Sequence, residues 1–174
     1  SSLHVGGLTP SPTLVRAALA EAADVVALVR VRSGDFVYTE EELRDMVSEV
    51  RELRSVGCRG FALGCLGADG SIDEAATSTL IEAAGKDAVI CFHRASDEVL
   101  RRAKDLRAVD RVASALERLG CARVLSSGGA ATARGGRSTL WALQKACGRR
   151  RIAVVVAGGV SEANAGLLVR DTGC

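Results

Sequence analysis

The feature that most constrains this chain is a period. Short runs rich in Val, Ile, Leu and Ala begin near residues 24, 60, 87, 122 and 152, and a stretch with helical spacing follows each. The interval is about 30 residues, the size of one strand-plus-helix unit. Such short, continuous apolar runs, bounded by turn residues, read as strands buried on both faces, which is how parallel sheets read. Parallel neighbours need crossover connections, and these are right-handed. No Gly-x-Gly-x-x-Gly or Walker signature follows any run, which counts against a dinucleotide-binding sheet. A TIM barrel repeats the same unit eight times in about 250 residues, whereas this chain has 174. The expectation is α/β: a single domain, 1–174, of TIM (β/α)8-barrel type but incomplete. It has about five parallel strands with flanking helices and is cut at both ends. The missing initial Met is in keeping with a partial chain.

Local punctuation supports the period. Ser11 and Pro12 are a helix N-cap and a first helical residue. Thr39 and Glu42 form a capping box, Leu43, Met46, Val47, Val50 and Leu53 follow at helical spacing, and Gly57 stops the helix. Ser71 and Glu74 read as a second capping box, with a helix to Gly85. The charged stretch 98–108 reads as partly helical. Gly120, Gly148 and Gly173 close three later helices, the last of them capped by Ser161.

Composition removes several classes of function. The chain is 48% hydrophobic with mean hydropathy +0.18, too apolar for disorder, yet no run approaches the roughly 18 residues of a membrane span. The first residues lack a basic region before an apolar stretch, so no secretion signal is expected. A net charge of +2 and 3% aromatics argue against a nucleic-acid partner, and Arg149–Arg151 reads as a solvated helix end. Six cysteines without a C-x-x-C pair point to reduced thiols and a cytoplasmic location rather than a disulfide scaffold.

Chemistry-bearing residues gather after the strands. The run beginning at Asp87 ends abruptly in His93, Arg94 and Asp97, at the strand end where α/β proteins bind ligands. Alternation puts Cys91 and His93 on one face. The first run ends in Arg30 and Arg32, two residues apart and expected on one face, with Asp35 beyond. Cys65 ends the second run, and Ser126, Ser127, Gly128 and Gly129 end the fourth. Gly158 and Gly159 end the fifth. Two readings stay open. A soft metal, Cu(I), could take Cys65, Cys91 and His93, unless Cys91 only fills the core below His93. Alternatively, Gly128–Gly129 and Gly158–Gly159, each ahead of a helix, could hold an anion together with Arg30, Arg32, Arg94, Ser126 and Ser127, unless the glycines serve turns and packing. In an enzyme, His93 would be the acid or base, with Arg94, and Asp35 or Asp97 would orient it. No Lys stands at a strand end, so a Schiff-base mechanism is not expected. A third expectation is association with a second copy, because an open parallel sheet leaves two unpaired edges.

Taken in order, Gly6-Gly-Leu-Thr-Pro-Ser11, Arg30-Val-Arg-Ser-Gly-Asp-Phe-Val-Tyr38, Phe92-His-Arg-Ala95, Val124-Leu-Ser-Ser-Gly-Gly129 and Ala157-Gly-Gly-Val160 resemble the CutC copper homeostasis family. The resemblance covers nearly the whole chain. It implies a TIM-barrel fold and cytoplasmic copper handling, with copper as the bound species and no enzymatic role. Where the family usually has Pro between the two arginines, this chain has Val31. Where it usually has Phe before the Asp of the His-Arg motif, this chain has Ser96. The resemblance also implies that two strands precede residue 6 in the family and one follows residue 174. The cysteines discussed as copper ligands lie in that N-terminal part, so they do not map onto Cys58, Cys121 or any other position here. The alternative is a barrel enzyme or binding protein for a small phosphorylated or carboxylate ligand.

Overall fold

A computed structural model describes residues 6–22, 24–103 and 105–174. The start of the chain, on which the absence of a secretion signal was read, and Lys104 lie outside the described residues. Helix α1 (Pro12–Glu21) leads into strand β1 (Val26–Leu28), then α2 (Glu40–Ser55), β2 (Gly60–Leu63), α3 (Glu74–Ala84) and β3 (Val89–Phe92). Two helices follow, α4 (Ala95–Arg101) and α5 (Leu106–Arg118), before β4 (Arg123–Ser126), α6 (Arg137–Gly148), β5 (Ala153–Val156) and α7 (Glu162–Thr172).

The five strands are all parallel and lie in the order β1-β2-β3-β4-β5. An order that rises without reversal, with crossovers of one hand, puts every connecting helix on the same face of the sheet. That is the winding of a TIM barrel, whereas a doubly wound sheet reverses at a switch point. The fold is therefore the expected α/β type with five strands.

Alternation along each strand sorts the two faces. Ala27, Phe61, Leu63, Ile90, Phe92, Val124 and Val154 point toward the helices and join the core with Met46, Val50, Leu80, Leu116, Leu140 and Leu143. The residues between them point the other way. Val26 and Val155 are each 39% exposed and Val89 is 40% exposed, so this face is not covered as a two-sided sheet would be.

The caps follow the expected chemistry with one exception. Ser11 accepts from Leu14 N, and Thr39 and Glu42 close a reciprocal capping box. Asp73, not Ser71, caps α3 by accepting from Ala76 N at 2.9 Å. Ser71 instead bonds Asp69 through its N–H and hydroxyl in the turn that precedes the helix. The charged stretch after β3 divides into the end of α4 and the start of α5, with Asp105 capping α5 at 2.7 Å.

Candidate functional site

The carboxyl ends of the strands carry the polar side chains, and the chain builds them into two separate clusters. The first forms beyond β1. The strand stops at Leu28, and residues 31–34 bend away. Arg30 remains buried, whereas Arg32 turns outward, because alternation no longer applies once the strand has ended. The shared face expected for the two arginines is therefore absent. Arg32 binds Glu42 at 2.5 Å and Asp35 at 3.0 Å. Asp35 sits on the exposed bend with a side chain 71% accessible, so it is not placed to orient His93.

Arg30 holds the loops around it. One terminal nitrogen donates to the carbonyls of Gly6 and Gly7 at 3.4 Å, and the other donates to Gly34 O at 2.7 Å. Thr9 laces the N-terminal loop to the strand: its N–H donates to Arg30 O, and its hydroxyl accepts from Arg30 N and donates to Glu49. The Arg30 guanidinium lies 4.9 Å from the centroid of the Phe36 ring, and the same ring lies 4.8 Å from the His93 ring. Leu66 N donates to Phe36 O at 2.8 Å, which fixes the Phe36 segment across the end of β2.

His93 is 3% exposed. Its Nδ1 accepts from Ala95 N at 3.4 Å, which leaves the ring proton on Nε2. That Nε2 is buried and, among the described residues, has no hydrogen-bond partner. Burial, helped by the charge of Arg30, pushes the imidazole down to about 3, so it is neutral at neutral pH. The Tyr38 hydroxyl, in the segment that carries Phe36, is likewise buried without a hydrogen bond of good geometry. Burial and the neighbouring Cys65 push it up to about 12, against the opposing pull of Arg30 and Arg32.

The second cluster ties α4 to the loop after β4. Asp97 is almost completely buried. Its carboxylate accepts from Ser126 Oγ at 2.7 Å, Ser127 N at 2.9 Å, Gly129 N at 3.0 Å and Arg94 Nε at 2.7 Å. Gly128 N turns to Ser126 Oγ at 2.9 Å, and Arg94 also reaches Ser127 Oγ at 2.8 Å. Burial opposes ionisation of Asp97, but these donors together hold its pKa below the usual carboxylate value. The loop N–H groups expected to cradle an external anion thus surround a carboxylate of the chain itself. Gly128 and Gly129 adopt φ of 73° and 74°, and a Cβ on Gly129 would stand 2.6 Å from Arg101 N, so glycine is required there for loop and helix to meet. Gly158 packs its backbone against the Ser127 side chain, and its carbonyl accepts from Ala133 N at 2.8 Å. Gly159 O accepts from Asn164 Nδ2 at 2.7 Å, ahead of α7.

The candidate metal donors are not brought together. Cys65 joins the core on the helix side, and Thr77 accepts from its backbone N–H. Cys91 lies between Ile90 and Phe92 and faces the opposite side of the sheet, near Arg123. Burial pushes the two thiols up to about 12 and about 11, the second against the pull of Arg123. Among the described residues, no three His, Cys, Asp or Glu side chains are grouped to hold a metal ion. These donors therefore do not fit copper as they stand. All six cysteines are free.

Sequence patterns placed His93 and Arg30 at the strand ends but missed Phe36 and Tyr38. Both lie inside the motif from Arg30 to Tyr38, in a bend where no periodicity shows which side chains turn inward.

The model of the CutC family matches residues 1–174. The family protein CutC of Mesorhizobium japonicum is 42% identical over 99% of this chain and 64% of its own length. That of Xanthomonas campestris is 40% identical over 98% and 68%. The chain thus spans about two-thirds of these relatives. A crystal structure named for the copper homeostasis protein CutC of Streptococcus agalactiae superposes with a TM-score of 0.89 at 27% identity, covering 99% of this chain and 82% of that one. By the match along its whole length, the chain belongs to the CutC family.

Proposed function

We propose that this chain takes part in copper homeostasis, as the name of its structural relative implies, and that the ligand its own strand-end residues hold is a small anion. The observation that carries the second half is the buried Nε2–H of His93, which has no acceptor among the described residues. An unmet buried donor costs about 1–3 kcal/mol, and a ligand oxygen would meet it. The positive charge of Arg30 beside it favours an anion. In this reading His93 is a hydrogen-bond donor. Arg94, Ser126, Ser127, Gly128 and Gly129 form the frame around Asp97 that shapes the rim, Gly158 and Gly159 continue it, and Cys65 and Cys91 are neutral packing thiols. Free thiols at every cysteine support a reducing, cytoplasmic setting.

Two parallel titrations test it. Cu(I), added anaerobically against a competing chelator, is expected to bind a Cys91→Ser, His93→Ala double variant as it binds the parent chain. Small carboxylates or inorganic phosphate, followed by calorimetry, are expected to bind the parent and not His93→Ala. Tight Cu(I) binding that disappears in the double variant would overturn the anion reading in favour of copper ligation at the strand ends.

A further inference from the structure

We infer that the helix layer carries a binding site of its own, the cleft between α3 and α5, and that its ligand is a small monocarboxylate with a hydrocarbon body. The cleft shares no residue with the strand-end clusters, and its ligand is tested independently of theirs.

The cleft is a gap in the helix packing. α2 packs along α3, and α5 along α6, whereas α3 and α5 leave between them a cavity of about 440 Å³. The cause lies on α5. Ala108, Arg111, Ala115 and Arg118 recur at helical spacing and line the cavity. The two alanines leave its floor unfilled, and the two arginines are long enough to reach its rim. Ile72, Val99 and Val112 supply apolar wall; Val112 is buried, and the other two are only partly covered. The volume is about three times the roughly 150 Å³ that admits benzene, and it falls within the range of small-molecule sites.

The wall is fixed before a ligand arrives. Leu66 bridges to Ile72, Gly67 N donates to Ser71 O at 2.9 Å, and Gly70 N donates to Gly67 O at 2.8 Å. Arg102 lies over this turn. Its Nη1 donates to Asp69 O at 3.2 Å, and a Cβ on Gly70, whose φ is 80°, would run into the guanidinium. Glu74 holds Arg118 through two bonds of 3.0 and 2.6 Å.

Charge selects the ligand. Arg102, Arg111 and Arg118 line the cavity against Asp69 and Glu74. Glu74 neutralises Arg118. The Asp69 carboxylate accepts from the N–H and hydroxyl of Ser71 at 2.9 and 2.7 Å. Among the described residues, neither Arg102 nor Arg111 forms an ion pair with a carboxylate. Three cations and two anions leave one positive charge. A carboxylate balances it, with two oxygens matched to paired guanidinium N–H groups. A phosphate ester dianion would bring a second, uncompensated charge against apolar wall.

The test titrates the whole chain by calorimetry with phenylpropanoate and octanoate, against acetate, benzyl alcohol and phenyl phosphate. One of the two larger carboxylates is expected to bind at least tenfold more tightly than acetate, which lacks the body, and than benzyl alcohol, which lacks the charge. Arg111→Ala should weaken that binding about tenfold, the usual scale for losing a hydrogen bond to a charged group. It should leave the urea midpoint unchanged. Ala108→Leu, which fills the floor with hydrocarbon, should abolish binding with the midpoint unchanged or raised. His93→Ala should bind as the parent does. Equal binding by the parent, Arg111→Ala and Ala108→Leu would overturn the cleft as the site. Loss of binding in His93→Ala alone would move the ligand to the strand ends, overturning this inference and supporting the anion reading. Tighter binding of phenyl phosphate would overturn the ligand class, and no binding of either larger carboxylate by the parent would overturn the site.

Discussion

His93 shows how a buried group without a partner governs behaviour beyond its own position. Its folded pKa, about 3, lies below the unfolded value of 6.5. The unfolded chain therefore takes up a proton as pH falls through 6.5, while the folded chain refuses it. The stability that depends on neutral His93 is complete above pH 6.5 and is lost progressively as pH falls from 6.5 toward 3. The slope approaches about 1.4 kcal/mol per pH unit. Between pH 7 and pH 5 the loss should be about 2 kcal/mol, read as a lower urea midpoint at unchanged slope. His93→Gln should flatten that dependence. An equal loss in the variant would show that other groups cause it. That His93 would matter was legible from its place at a strand end. That it would be neutral was not, because the burial comes from Phe36, 57 residues earlier in the chain.

At the scale of elements, the junction of β3, α4 and β4 shows why motif reading misplaced the anion loop. Ser126-Ser-Gly-Gly129 has the composition of an anion-binding turn, and the sequence contains nothing to show that its N–H groups are already engaged. Asp97 engages them from α4, about 30 residues away, with Arg94 completing its shell. Only the fold brings that carboxylate to the loop. Asp97→Ala would leave the Ser126, Ser127 and Gly129 donors unmet and the Arg94 charge unpaired. Removing one partner from such a buried network costs about 3–5 kcal/mol, and urea denaturation would measure it. Asp35→Ala, on the exposed bend, should change stability far less. Equal costs would mean that the Asp97 network is not what fixes the loop. Where a contact is local, as in the Thr39–Glu42 capping box, the sequence shows it directly, since both partners fall within one helical turn.

At the scale of the whole molecule, the period of about 30 residues was legible because every unit repeats the same strand-to-helix switch. The one-sidedness of the sheet was not. An apolar run reads alike whether its second face is covered by helices, by other strands or by nothing, so Val26, Val89 and Val155 looked like core positions. Their exposure near 40% says that the helix face alone supplies most of the hydrophobic stability of this chain. This has a measurable consequence within a single strand. Val89→Thr keeps the β-branch and loses only half-exposed methyl contact, so it should cost less than about 1 kcal/mol. Phe92→Ala, three residues along on the helix face, should cost about 3–5 kcal/mol through lost burial and the cavity left behind. Comparable costs for the two, read from urea midpoints at several protein concentrations, would mean that the open face is covered in solution. A midpoint rising with concentration would then identify the cover as a second copy, drawn to a face whose sheet also ends, among the described residues, in the open edges of β1 and β5.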